Sequence, residues 1–188
     1  GYDAGVEISK KAGLKKIGME LGSNSPTIVM DDADLDKALD ATISGAFWAA
    51  GQNCIGVQRI LIHQDVYEEF EKRFTEKASK LHPGDQQDDG SDFGPMISEA
   101  EAKRIESWVN EAVKNGARLL AGGKRNGSLY DATVLADVPE DTLVNSQEVF
   151  APVVNLYKVK NLDEAIEKAN SVNYGLQAGI FTRNLDNA

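Results

Sequence analysis

The sequence predicts an α/β domain built on an open, mostly parallel twisted sheet with helices on both faces. Three observations carry this expectation. Short apolar runs such as Thr27-Ile28-Val29-Met30 and Ile60-Leu61-Ile62 alternate with longer segments whose apolar residues recur at three- and four-residue steps. Clusters of Gly, Pro, Asn and Asp mark most of the junctions. The chain has 188 residues, 41% hydrophobic and 27% charged, which suffices for one soluble globular domain with a real core. Successive strands separated by helices return to the same sheet by right-handed crossovers and therefore run parallel. No internal repeat is present.

In order, a helix is expected over Val6 to Ala12, then an extended run from Lys15 that ends in the loop Gly22-Ser23-Asn24-Ser25-Pro26. Thr27 to Met30 reads as a buried strand. The acidic turn Asp31-Asp32-Ala33-Asp34 opens a helix with Leu35, Ala38, Leu39, Thr42 and Ala46 on one face, its negative charge matching the helix dipole. Gly51 stops that helix, and residues 59–63 form the next strand. A helix then starts at Asp65, with Glu68 completing a capping-box spacing, and Val66, Phe70, Phe74, Ala78 and Leu81 form its buried face. After the polar loop 82–97, Ser98 and Glu101 give a second capping box, opening a helix whose inner face is Ile105, Trp108, Val109 and Ala112. Arg118 to Ala121 and Tyr130 to Leu135 follow as strands. The intervening Gly122-Gly123-Lys124-Arg125-Asn126-Gly127 lacks the phosphate-loop spacing and reads as a surface turn. The strand Val153 to Val159, the helix Leu162 to Ala169 and the strand Leu176 to Thr182 complete the pattern.

Composition excludes several classes. The net charge of −10, from 30 acidic against 20 basic residues, is spread along the helices as a solvated surface, and there is no basic stripe for nucleic acid. A single cysteine excludes an internal disulfide. No apolar run approaches a membrane span and no signal-peptide pattern is present, so a cytoplasmic protein is expected.

The one cysteine lies in Gly51-Gln52-Asn53-Cys54-Ile55-Gly56, between a helix end and a strand, where backbone N–H groups are free to meet a ligand. That setting suits a nucleophile, and it equally suits an ordinary buried thiol. Glu20 follows an apolar run and precedes Leu21-Gly22; burial would raise its pKa and make it a general base, against the alternative of a loop carboxylate accepting backbone N–H bonds. Glu148, between a polar turn and Val149-Phe150, can reach a ligand hydroxyl or form a surface salt bridge. His63 and His82 show no metal-ligand spacing with each other or with Cys54, so capping or solvent-exposed roles are expected and no metal site.

Taken together, these residues resemble the aldehyde dehydrogenase superfamily. Met19-Glu20-Leu21-Gly22-Ser23-Asn24-Ser25-Pro26 with the downstream Asp31-Asp32-Ala33-Asp34-Leu35-Asp36 is similar to its E-L-G-G-K-x-P and D-A-D-L-D signatures. Gly51-Gln52-Asn53-Cys54 resembles its G-Q-x-C motif, with Cys54 placed 34 residues after Glu20 (54 − 20). Gly94-Pro95-Met96-Ile97, Gly116-Ala117-Arg118-Leu119, Gln147 to Pro152, and Ala169-Asn170 with Tyr174-Gly175-Leu176 match further landmarks in family order, so the likeness spans the whole chain.

The resemblance implies oxidation of a small aldehyde to a carboxylic acid with NAD or NADP. In it Cys54 attacks the carbonyl, its N–H helps hold the oxyanion, and Glu20 activates the water that hydrolyses the resulting thioester. Glu148, Phe150, Leu21 and Gly22 would hold the nicotinamide ribose and ring. Retention of Glu20 favours hydrolysis over acyl transfer to coenzyme A, the alternative within the family; a cysteine hydrolase using His63 and a catalytically silent domain of the same fold are further alternatives. Ser23, Asn24 and Ala151 replace the family's Gly, Lys and Gly, a pattern similar to the lactaldehyde and non-phosphorylating glyceraldehyde-phosphate branch. The chain opens at Gly1 without a Met, and only Gly5 matches the family's phosphate-proximal G-S-x-x-x-G. The expectation is therefore a catalytic domain from a longer, homo-oligomeric enzyme, with residues 1–18 a remnant of the connection to a dinucleotide-binding domain and no turnover on its own.

Overall fold

A computed structural model describes residues Gly1–Ala188. Helix α1 (Tyr2–Ala12) leads through an irregular segment to β1 (Ser25–Val29). Pro26, second in that strand, has no N–H to give to the ladder, and the pairing of β1 with β2 (Val57–His63) shifts register between Ser25 and Pro26. Helix α2 (Leu35–Phe47) is capped as its acidic lead-in suggests, with the Asp34 side chain accepting from the Lys37 N–H.

Helix α3 (Gln64–Ala78) follows β2 without a loop, and here the expected start is corrected. Its cap is the last strand residue, His63, whose Nδ1 accepts from the Asp65 N–H at 3.3 Å; Asp65 and Glu68 form no capping box. In α4 (Glu99–Lys114) Ser98 does cap, accepting from the Glu101 N–H at 3.2 Å, while the Glu101 carboxylate takes Arg104 instead of closing the box.

Strand β3 (Arg118–Ala121) is followed by a two-stranded hairpin of β4 (Arg125–Asn126) and β5 (Leu129–Tyr130), turned at Gly127 with φ 61°. The glycine-rich stretch is thus the surface turn expected. The single strand read over Tyr130 to Leu135 is two pieces, β5 and β6 (Thr133–Ala136). A short α5 (Leu143–Ser146) was not legible; β7 (Val153–Val159), α6 (Leu162–Ala169) and a shorter β8 (Gly179–Phe181) complete the chain.

The six-stranded sheet has the order β3-β6-β7-β2-β1-β8, with every neighbouring pair parallel except β3 with β6. Pleating divides its side chains between two layers. Ile60, Ile62, Val134, Val154 and Leu156 pack with Leu39 and Phe47 of α2 and Phe70 and Phe74 of α3. The alternate residues Leu61 and Ile28 face Ala165 of α6, and Leu135 and Val153 face Ile105 and Val109 of α4. Helices therefore cover both faces, as the alternation predicts. No helix is long and apolar enough to cross a membrane.

Candidate active site

The cysteine loop begins with a reversal of hand. Ala49, Ala50 and Gly51 have φ of 54°, 56° and 65°, a left-handed stretch in which each non-glycine residue costs roughly 1–2 kcal/mol. Only glycine fits at the third position, because a Cβ on Gly51 would overlap the Ala151 carbonyl oxygen. Gln52 then braces the loop: its Nε2 donates to the Pro95 carbonyl at 3.2 Å and its Oε1 accepts from the Ile97 N–H at 2.8 Å. Residues 53–56 make a turn closed by the Gly56 N–H on the Asn53 carbonyl at 3.3 Å. Cys54, a free thiol, is half-buried on that turn. The backbone N–H groups of Asn53, Cys54 and Ile55 donate to no protein acceptor, which leaves donors beside the sulfur for a developing negative charge.

Facing this loop is the segment before β7. One Glu148 oxygen, Oε1, accepts from the Ser23 N–H at 2.9 Å, and the other lies against Gly22, where an added Cβ would come within 2.6 Å of it. Phe150 is left-handed (φ 49°) and 41% exposed, so its ring is held out from the core. Ser23, Gly51, Asn53, Gly56, Glu148 and Phe150 line one narrow cleft. Three loops thus meet at the amino ends of the adjacent parallel strands β1, β2 and β7, where chain enters the sheet. Ligand sites of open α/β sheets ordinarily lie at the carboxyl ends.

Behind the cleft lies a polar framework centred on Arg59, 2% exposed. Its Nε donates to Asn24 Oδ1 at 2.8 Å, Nη1 to the Lys168 carbonyl at 2.7 Å, and Nη2 to the Ala169 carbonyl at 2.9 Å. The last two are terminal carbonyls of α6, where the helix dipole favours a cation. Burial pulls the Arg59 guanidinium below its usual pKa. Asn24 passes the restraint on, its Nδ2 donating to the Asn145 carbonyl at 2.7 Å and the Gln147 carbonyl at 3.2 Å.

Of the residues singled out from sequence, Gly22, Glu148, Phe150 and the cysteine loop come together. Leu21 is exposed and packs on the buried Gly5 of α1. Glu20 corrects an expectation: it is exposed, so the burial on which its basicity was argued is lacking in this chain. His82 is exposed, and His63 lies at the opposite end of β2 from Cys54, which removes the histidine a cysteine hydrolase needs. Asp31, His63 and Asp65 bring one ligand atom each within 4.8 Å of one another at that far end, with His63 Nδ1 already engaged by the Asp65 N–H. Gln52, Gln58, Arg59 and Tyr174 also shape the site; the sequence marked Gln52 and Tyr174 as motif positions without giving them a role, and for Gln58 and Arg59 the only available signal was two polar residues entering an apolar strand.

The model of the aldehyde dehydrogenase family matches residues 1–188, the full length that carries these three loops. The chain belongs to the aldehyde dehydrogenase family. It is 50% identical over 188 residues to aspartate-semialdehyde dehydrogenase 1 of Pseudomonas canavaninivorans, covering 100% of this chain and 40% of that protein. Among solved structures, aldehyde dehydrogenase 21 of Physcomitrella patens, in complex with the reaction product succinate, superposes with a TM-score of 0.95 at 44% identity, over 99% of this chain and 39% of that one. The glyceraldehyde-3-phosphate dehydrogenase GapN of Methanocaldococcus jannaschii, complexed with NADP, gives 0.93 at 42% identity, over 98% and 40%. The aldehyde dehydrogenase chain described above therefore spans about two fifths of the length of these relatives.

Proposed function

We propose that this chain is the nucleophile-bearing domain of an enzyme that oxidises a small aldehyde to its carboxylic acid with NAD or NADP. The observation that carries the reading is the convergence, at one end of the sheet, of the loop that bears the half-buried Cys54 with its unused backbone N–H and the Glu148 cleft, which Gly51, Asn53 and Gly56 of that loop line. The residues present fit a nicotinamide cofactor: Glu148 is anchored through one oxygen and keeps the other for a ribose hydroxyl, and the ring of Phe150 and the side chain of Leu21 stand exposed for apolar contact. When bound, that cofactor accepts the hydride.

The protein's own residues do the rest. Cys54, as thiolate, adds to the aldehyde carbonyl, and the oxyanion of the thiohemiacetal draws on the Cys54 N–H. After oxidation the acyl group remains on Cys54 as a thioester, and Glu20 deprotonates the water that releases it as the acid. The exposure of Glu20 fits a base that acquires its surroundings from the rest of the enzyme. Likeness to the family supports a homo-oligomeric, cytoplasmic whole protein, and the two-fifths coverage of the relatives supports a turnover that needs more than this chain.

Assaying the whole enzyme with an aldehyde panel and both cofactors tests this. Reduced cofactor should form with at least one aldehyde, Cys54→Ala should lower kcat by more than about a thousandfold, and this chain alone should give no steady turnover. Full activity of Cys54→Ala, or sustained reduction of cofactor by this chain alone, contradicts the reading.

A further inference from the structure

Gln58 is the second residue of β2, four positions after Cys54, and is 4% exposed. Its side-chain amide is committed to a segment about 90 residues away. Nε2 donates to the Val144 carbonyl at 3.1 Å and to the Gln147 carbonyl at 2.7 Å, and Oε1 accepts from the Val149 N–H at 3.0 Å. Two of these contacts have a geometric consequence. The Gln147 carbonyl belongs to the peptide plane before the Glu148 Cα, and the Val149 N–H belongs to the plane after it. The φ and ψ of Glu148 are the rotations of those two planes, so one rigid amide fixes both.

Nothing regular does this in its place. Residues 148–150 lie outside any helix or strand, and the last of them, Phe150, is in a left-handed conformation that the chain must be held to. The other restraints come from side chains too: Asn24 Nδ2 donates to the same Gln147 carbonyl at a longer 3.2 Å, Arg104 Nη2 donates to the Val149 carbonyl at 2.7 Å, and the Glu148 N–H donates to the Tyr174 hydroxyl at 3.4 Å. Only an amide can donate to one carbonyl and accept from the following N–H here; a carboxylate in the same position would face two carbonyl oxygens without a proton to share.

We propose that Gln58 is a positioning residue for cofactor binding, holding Glu148 so that its carboxylate meets the nicotinamide ribose. The inference rests on the reading of Glu148 given above and extends it: the strand that carries the nucleophile loop also sets the aim of the cofactor contact.

The test is the cofactor Kd by titration calorimetry, which should follow KM in every variant below, together with steady-state kinetics and a double-mutant cycle on the whole enzyme, with NAD and NADP as probes. Gln58→Met keeps the length of the side chain and removes its hydrogen bonds; it should raise KM for the cofactor about tenfold, the loss of one or two net hydrogen bonds, while kcat at saturating cofactor changes less than about threefold. Gln58→Asn, with the amide one methylene short, should fall between, and it carries the test if the Met variant does not fold. Glu148→Gln should also raise KM, and adding Gln58→Met to it should raise KM little further, since both act through one contact. An unchanged cofactor KM in a folded Gln58 variant, or an effect fully additive with Glu148→Gln, overturns the inference while leaving the reading of Glu148 intact. An unchanged KM in Glu148→Gln overturns both.

Discussion

At Gly51 the backbone is asked for a conformation and a closeness that only one residue supplies, with φ 65° and no room for a Cβ against Ala151. Gly51→Ala should destabilise the chain by about 1–3 kcal/mol through overpacking and left-handed strain, seen as a lower midpoint in urea at unchanged slope; an unaltered midpoint would show that the two loops do not press on each other as described. The left-handed backbone at Gly51 was legible from its place after a long helical pattern, but the expected helix stop is corrected: α2 already ends at Phe47 with Trp48 as its cap, and Gly51 closes the turn that follows. The two alanines before it, equally left-handed, gave no such sign: nothing in Ala49 or Ala50 favours φ near 55°. Gln58 and Arg59 were opaque for a related reason. Their partners lie 35 to 110 residues away in sequence, and a side chain that satisfies a distant carbonyl leaves no local pattern.

Elements were read best where a face is repeated several times. The 3.6-residue recurrence of Phe70, Phe74 and Ala78 identified α3, and Ser98 identified the start of α4. The start of α3 was misplaced because the cap came from His63, the last residue of the strand. One contact of α3 was also hidden. Glu71 accepts from Tyr67 Oη at 2.6 Å and from Arg118 Nη2 at 2.7 Å, and Arg118 Nε donates to Asp137 at 2.6 Å, tying α3 to the β3–β6 edge. Burial raises the Glu71 carboxyl, and the hydrogen bonds from Arg118 and Tyr67 with the charge of Arg118 outweigh it, so the net position is below the ordinary value of 4.5. A carboxyl depressed in the folded state stabilises it above the unfolded value and loses that contribution as pH falls through the folded one. Glu71→Gln should therefore be less stable than the parent near pH 7, and the gap should close as pH drops below about 4.5. Urea melts at a series of pH values check this; a gap independent of pH would contradict it.

For the molecule as a whole, the alternation of strands and helices was enough to foresee a parallel sheet covered on both faces. Strand order was not, since β7 reaches its place beside β2 through contacts that no single segment encodes, and β3 runs antiparallel at the edge. The same is true of the site. Cys54, Glu148 and Gly22 were recognisable as motif positions, but the meeting of the loops that carry them at the amino ends of β1, β2 and β7 follows from the sheet order. What the fold does not bury in this chain is Glu20, the residue assigned to the water. The proposed labour is accordingly divided: the amino ends of the inner strands β1, β2 and β7 carry the loops that bear the thiol, its free N–H and the proposed ribose contact, and Glu20, the proposed base, would take its environment from the rest of the enzyme.

The measurement that tests this most directly is mass spectrometry of the whole enzyme carrying Glu20→Gln, after brief incubation with a turned-over aldehyde and oxidised cofactor. If Cys54 is the nucleophile and Glu20 serves the hydrolytic water, the peptide containing Cys54 gains the mass of the aldehyde less two hydrogens, a stalled thioester, alongside a single burst of reduced cofactor. Reduced cofactor formed at the parent rate with no adduct on Cys54, or an adduct on another residue, would contradict the account.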